Sequence, residues 1–341
     1  MAQDTHIHLS PSTDETIPTR HHWHLGDTQP VMRTTSYPTA PPPPPTRRHR
    51  RSCLSTFILL LFVAGGVSVA GYAFWQWTAT RPRTNILVLG LDCRPDQGYV
   101  TRSDTLILAT IYPPGPCAAL LSIPRDLYVE IPDHDADRIN TAHFWGENEA
   151  EGGGPALAMQ TVAQNFGVPV HHYVRLDFDT FRAIVDSVGG VDVIVEKPVV
   201  DDAYPTDDYG AIHIEIPAGP QHMDGETALR YARSRHGSSD FDRARRQQQI
   251  LVALAHCLIE PEVWPHLPAI YQVVMDNVDT DLTTWDLLLL APTIYRVGPD
   301  GIEHRVIGPE MTDPWTTPTG GAVLLPRWEA INPLLQELFT P

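Results

Sequence analysis

Lysine is almost missing from this 341-residue chain: of its 24 basic residues only Lys197 is lysine, and the rest are arginine. Cysteine is scarce as well, at four, which excludes the disulfide-dense scaffold of small secreted domains. Positive charge is in deficit. With a formal net charge of −17, the chain lacks the basic footprint of a nucleic-acid-binding protein. It also shows no internal repeat and no DNA-binding pattern.

Long apolar runs are rare too, with one exception. The stretch CLSTFILLLFVAGGVSVAGYAFWQW, Cys53 to Trp77, carries no charge and exceeds the ~20 apolar residues a bilayer span needs. It is too long, and begins too far into the chain, for a cleaved signal peptide. Trp75 and Trp77 suit an aromatic belt at one interface. TRRHRR, Thr46 to Arg51, precedes the run, and only Arg81 and Arg83 follow closely. The positive-inside rule therefore assigns residues 1–52 to the cytoplasm and residues 78–341 to the outside, with residues 53–77 as a single transmembrane helix. The tail, with PTAPPPPPT and HHWH, has the low-complexity composition of a disordered segment.

Six basic and four acidic residues precede residue 78, which leaves 18 basic and 37 acidic residues outside, a charge of −19. Cys93, Cys117 and Cys257 lie there, so at most one disulfide is available, and spacing leaves a Cys93–Cys117 pairing open. Against this acidic background LRYARSRHGSSDFDRARRQQQ, Leu229 to Gln249, packs six arginines into seventeen positions.

TNILVLGLD, TLILATIY, CAALLSI, HHYVRLD and VDVIVE read as strands. Helices are expected from about Pro155 to Gly167, over DTFRAIVDSVGG with Asp179 near its cap, from Asp224, from Asp240 to Ile259, and near Val263–Val278 and Leu282–Val297. Alternating strands and helices with one early hairpin predict an α/β fold, a mixed central sheet flanked by helices. No linker breaks residues 84–260, which form the core of one domain. Residues 261–341 are expected to pack on as a helical C-terminal annex.

Asp92 closes the first strand and Asp104 opens the second. Neighbouring strands would bring both carboxylates to one rim, with Arg94 and Arg102 nearby. Magnesium takes hard oxygen ligands and is usually held by one or two carboxylates plus substrate phosphate; cap and turn aspartates in surface ion pairs account for the same residues. In SIPRD, Pro124 stops a strand and leaves Arg125 and Asp126 at its end, and Arg138 and Asn140 follow in another loop. Arg233 and Arg235 share a face of an extended segment. Asp240 is placed to cap the next helix, on which Arg243, Arg246 and Gln247 share a face. Guanidinium forks bind phosphate bidentately, and a helix N-terminus favours anions. A pyrophosphate-binding site is the implied use, and an amphipathic helix with a basic polar face the competing one.

NILVLGLDCR, RSDTLIL, LLSIPRD, RINTA, VDSVGGVDV, IPAGPQHMDGETALRYARSR and DFDRARRQQQ, in this order, resemble the LytR–CpsA–Psr family of membrane-anchored bacterial envelope enzymes. The resemblance implies an α-β-α domain. It also implies transfer of a glycopolymer from a polyprenyl-pyrophosphate carrier to peptidoglycan, with Mg2+ or Mn2+ and release of polyprenyl phosphate. Asp92 and Asp104 correspond to metal ligands, and Arg102, Arg125, Arg233, Arg235, Arg243, Arg246 and Gln247 to the pyrophosphate and catalytic set. Arg102, Arg125 and Asp126 are the catalytic candidates, and Asp240 lies near that set. Leu91 and Cys93 flank Asp92 where the family commonly has serine, and Arg138 replaces a usual lysine; both bear on donor or acceptor preference. A phosphohydrolase using water, and a non-catalytic tethered binder or attenuator of envelope biogenesis, are the alternatives.

Overall fold

The computed structural model describes residues 53–93, 98–206, 210–235 and 239–340. The expectations for residues 1–52 and for Arg94 lie outside these. The chain divides into residues 1–57, of which only 53–57 are described, and the unit 58–341. Helix α1 (Cys53–Thr78) has no charged residue. Among the described residues it is the one helix long and apolar enough to cross a membrane.

The central sheet grows from β1 (Thr84–Leu91), β2 (Ser103–Tyr112) and β3 (Cys117–Ser122), consecutive and antiparallel. A short pair, β4 (Tyr128–Val129) and β5 (Asp137–Arg138), leads into α2 (Thr141–Glu149) and α3 (Gly153–Phe166). Gly167, at φ 65°, ends α3 in the left-handed conformation that glycine adopts most cheaply. Strand β6 (His172–Leu176) returns parallel to β1. Next come α4 (Phe178–Ser187), the strands β7 (Val191–Val195), β8 (Val199–Pro205), β9 (Ala211–Ile216) and β10 (Gly219–Met223), then α5 (Gly225–Arg233) and α6 (Asp240–Ile259). The chain ends through α7 (Leu267–Asn277), β11 (Asp279–Thr280), α8 (Thr284–Val297), β12 (Ile302–Val306), the hairpin β13 (Thr312–Thr316) and β14 (Ala322–Pro326), and α9 (Trp328–Phe339).

The sheet order is β11-β6-β1-β2-β3-β12, a mixed sheet. Alternation along β1 sends Leu87 and Leu89 into a buried cluster with Val162 of α3 and Leu335 of α9. Ile86 faces the other way, against Leu290 of α8. Val185 of α4, Tyr231 of α5 and Ile250 of α6 form a further cluster with β7. Helices thus cover both faces of the sheet.

Residues 261–341 are not a helical annex. They supply β11 and β12, which pair along the two edges of the sheet and satisfy backbone groups that edge strands leave open. Two caps also differ from expectation. Asp177, not Asp179, caps α4, because its carboxylate accepts from the Thr180 amide. Ser239 caps α6 in a reciprocal capping box with Asp242, which frees the Asp240 carboxylate for ion pairs. Cys93, Cys117 and Cys257 are free. Cys93 follows the end of β1, whereas Cys117 starts β3 at the far end of the sheet, so a strand length separates them.

Candidate active site

The rim where β1 ends is shaped by a bulge. Gly90 pairs with Thr105 and Leu91 with Ser103, so Asp104 is the extra residue on β2. A bulge re-aims its side chain. A Cβ on Gly90 would lie 2.9 Å from Thr105 Cβ, so glycine lets the strands close here.

Two guanidiniums grip the Asp104 carboxylate: Arg125 Nη1 donates to Oδ1 at 2.6 Å and Arg235 Nη2 to Oδ2 at 2.9 Å. Burial pushes the Asp104 carboxyl up, but Arg125 and Arg235 outweigh it and hold the group below its ordinary value. Asp92, two residues past Gly90, accepts from Arg233 Nη2 at 3.2 Å. Arg233 is the last residue of α5 and lies over the ring of Phe178, 4.3 Å from its centroid.

Pro124 ends the β3 segment as expected, and Arg125 reaches three carboxylates: Asp104, Asp126 at 3.5 Å and Asp240 at 3.9 Å. Burial lowers its proton affinity, but Asp104 reverses the balance and the guanidinium is held above its ordinary value. Arg243 is the opposite case. Its side chain is 6% exposed, and Nη1 lies 2.9 Å from the Asp240 carboxylate as an ion pair that lacks hydrogen-bond geometry. Burial, which Asp240 offsets only in part, together with Arg235 and Arg125 close by, pushes it down to about 10. A buried guanidinium with other guanidiniums close by favours a further anionic partner.

Two cavities of different character meet at this cluster. A narrow slot of about 90 Å3 runs between the sheet and α4 to α6, lined by Leu176, Phe178, Phe181, Leu229 and Leu251. A wider cleft of about 550 Å3 lies beyond Arg125, walled by the β13–β14 hairpin. Asp104, Arg243 and Gln247 line both.

Arg246 does not join the cluster. It is buried and donates to the backbone carbonyls of Tyr231 and Ser234. One turn of helix separates Arg243 from Gln247, while the residue at i+3 turns towards α5; Arg246 therefore positions the Arg233–Arg235 segment. Asp201, 1% exposed, supports the same segment through Ser234 Oγ and the Arg235 amide. Arg102 is exposed on the loop before β2, and no ion pair ties it to a described residue.

A buried network lay outside the sequence reading. Arg175, 5% exposed, bridges Glu147 at 3.0 Å and Asp279, and stacks on Tyr99 at 4.0 Å. His143, fully buried, bonds the Thr101 carbonyl. Together they anchor the loop carrying Tyr99 to Arg102. The single signal in the sequence was a charge, Arg175, inside an apolar strand.

A mixed α/β fold whose sheet rim pairs carboxylates with arginines, in a chain that also carries one helix long and apolar enough to cross a membrane, defines a class of protein suited to binding an anion. The comparisons are more specific. Residues 71–316 match the LytR_cpsA_psr family, and the chain belongs to it. The polyisoprenyl-teichoic acid–peptidoglycan teichoic acid transferase TagU of Oceanobacillus iheyensis is 36% identical over 200 residues, 58% of each chain. The crystal structure of Bacillus subtilis TagV superposes with TM-score 0.63 at 28% identity, covering 77% of this chain and all of that one. TagT bound to LIIa-WTA gives 0.61 at 25% identity, covering 77% and 93%. The matches span less than two thirds of the length of the curated relatives.

Proposed function

We propose that this chain is a membrane-anchored phosphotransferase that moves a glycopolymer from a polyprenyl-pyrophosphate carrier to a sugar hydroxyl of peptidoglycan. The observation that carries this reading is the junction of the two cavities. An apolar slot, an arginine cluster and a wider cleft of mixed lining follow one another in the order of lipid, pyrophosphate and glycan in such a carrier. The relatives' names, teichoic acid transferases and a TagT complex with LIIa-WTA, support the same assignment.

Phosphoryl transfer asks a protein to position groups and neutralise charge. The prenyl chain lies against Phe178, Phe181 and Leu251. Arg125, Arg233, Arg235 and Arg243 receive the pyrophosphate oxygens, with Gln247 donating from the wall shared by both cavities. The acceptor hydroxyl attacks the phosphorus nearer the glycan. A phosphodiester to the acceptor forms, the bond to the bridging oxygen breaks, the hydroxyl proton passes through water to the departing phosphate, and polyprenyl phosphate leaves along the slot. Asp104, held below its ordinary proton affinity by two guanidiniums, is unsuited to take the hydroxyl proton.

Asp92 and Asp104 would be the oxygen donors for a hard divalent cation, although among the described residues no cluster of three or more His, Cys, Asp or Glu exists. One or two carboxylates completed by water and phosphate is the usual setting of Mg2+, and Mn2+ shares the preference for oxygen ligands. Such an ion would neutralise charge developing on the pyrophosphate. We further assign residues 1–52 to the cytoplasm and the folded unit to the outside, from the four arginines before α1 against two after it.

The test is incubation of the full-length protein, in detergent micelles, with a polyprenyl-pyrophosphoryl glycan and Mg2+, with and without peptidoglycan fragments. Phospho-linked glycan on the fragments, formed together with polyprenyl phosphate, is the expected result. Glycan phosphate released only into water would replace the transferase by a hydrolase. Tight binding without turnover would make the chain a tethered binder.

A further inference from the structure

The β13–β14 hairpin walls the wide cleft that the transferase reading gives to the glycan, and none of its residues has yet been given a role. We propose that this hairpin forms a saccharide subsite with Trp315 as its platform; the inference rests on the transferase reading and locates where a sugar ring is held. Trp315 lines the cleft and is 39% exposed. Its ring is propped by Tyr128, tilted at 65° with centroids 5.6 Å apart. An indole kept partly exposed beside a cluster of buried cations costs apolar hydration, which a ligand with an apolar face recovers.

A pyranose is such a ligand. Its C–H faces carry slight positive charge and suit the electron-rich face of an aromatic ring, while its hydroxyl edges need polar partners. Pro314 and Val323 extend the apolar wall, and Asp126, Asp240 and Thr316 supply acceptors around it.

The hairpin is also fastened to the reaction centre. Leu324 donates its amide to the Asp126 carbonyl at 2.9 Å. Arg138 holds the Asp126 carboxylate at 3.1 Å and donates to the Ala322 carbonyl at 2.7 Å. The platform is thus tied to the residue that follows Arg125, so a sugar on Trp315 has a fixed position relative to the phosphate. Lysine, with one ammonium, would hold one of these partners where the Arg138 fork holds two.

The saccharide belongs either to the first sugars of the donor or to the acceptor glycan, and one set of assays separates them. Full-length Trp315→Ala, Trp315→Leu and Trp315→Phe are compared with the parent. Trp315→Leu keeps apolar bulk for folding, and Trp315→Phe keeps an aromatic face. Binding of sugar-free polyprenyl pyrophosphate is the first probe. Glycan-bearing carrier is the second, and a soluble N-acetylglucosamine tetramer, representing the acceptor, the third. Loss of about ten-fold or more in affinity for one sugar-bearing probe in both Ala and Leu variants is expected. Trp315→Phe should retain most of it, and sugar-free lipid should bind within about two-fold of the parent. A loss confined to the glycan-bearing carrier assigns the donor; a loss confined to the tetramer assigns the acceptor. Unchanged binding of both sugar probes in the Leu variant overturns the subsite. The assays read binding, so a parent protein without turnover would defeat the transferase reading and leave this result standing.

Discussion

Arg243 tests the electrostatic reasoning most directly. It is nearly buried, with Arg125 and Arg235 nearby and Asp240 as its ion-pair partner. Its depression from the ordinary guanidinium value to about 10 corresponds to about 3 kcal/mol, since each tenfold in proton affinity is worth about 1.4 kcal/mol. The sign follows from proton counting. Between those two values the unfolded chain binds more protons than the folded one, so stability rises with pH there. At neutral pH the whole penalty is present. Arg243→Met removes the charge at similar volume, and Asp240, about half exposed, keeps Arg125 at 3.9 Å. Apoprotein stability should therefore rise by about 1–3 kcal/mol, an increase of several degrees in Tm for a domain of this size. Affinity for polyprenyl pyrophosphate should fall at least ~30-fold, the loss of a charge-assisted contact of about 2 kcal/mol or more. Thermal unfolding and lipid binding measure the two halves. A variant that melts lower and binds lipid as the parent does would refute the reasoning and make Arg243 a structural partner of Asp240.

Asp104→Asn should cut transfer by ~100-fold or more, measured as kcat on the glycan carrier. The same variant should flatten the acid limb of stability. Asp104 is held below its ordinary value, so its contribution is present above the unfolded carboxylate pKa and lost as pH falls through the folded one; a parent with no steeper acid limb than Asp104→Asn would contradict this. Chelation of divalent ions should abolish transfer, with recovery on adding Mg2+ or Mn2+, and transfer persisting in excess chelator would remove the cation from the mechanism. Arg175→Met leaves the buried Glu147 carboxylate without a counter-charge, held only by the Gly152 and Gly154 amides, and should cost about 3 kcal/mol in urea unfolding. Arg125→Lys keeps the charge but cannot span Asp104, Asp126 and Asp240, so kcat should drop by ~10-fold or more while the fold persists; parental kcat would mean that charge alone suffices there.

Local signals in the sequence carried much of this structure. Apolar runs located β1, β2, β3, β6 and β7, because buried strands need uninterrupted side chains of one kind. Pro124 and Gly167 marked ends that their backbone chemistry imposes. The clustering of Asp92, Asp104, Arg125, Arg233, Arg235 and Arg243 was legible because unlike elements all ended in charge. What escaped depends on distance along the chain. β12 pairs with β3 from 184 residues away (Ile302 with Ala118), and no local pattern encodes that partner. Nor does spacing distinguish Arg243 from Arg246: i and i+3 share a face on a helical wheel, yet α5 packs against one side of that face and captures Arg246. Trp315 was silent for the same reason, since an aromatic in a short strand reads as core until its neighbours are known.

The charge balance at the rim bears on why carboxylates sit among the arginines at all. Arg125, Arg233, Arg235 and Arg243 are matched by Asp92, Asp104, Asp126 and Asp240, every one of them within 4 Å of an opposite charge. Arg138 adds one further positive charge through Asp126. Four guanidiniums that converged without counterions would repel one another in a partly dry site, so the aspartates hold the cluster together while it is empty. The same pairing leaves the rim nearly neutral towards an incoming pyrophosphate diester with two negative charges. Arginines that turn from aspartate to phosphate leave carboxylates behind, and those carboxylates then need a cation. In the proposed mechanism a divalent ion bound with the phosphate would supply two positive charges for the two that the pyrophosphate brings, with Asp92 and Asp104 as its oxygen donors. Such an exchange would account for a rim built from arginine–aspartate pairs, where a plain cationic pocket would bind the anion alone.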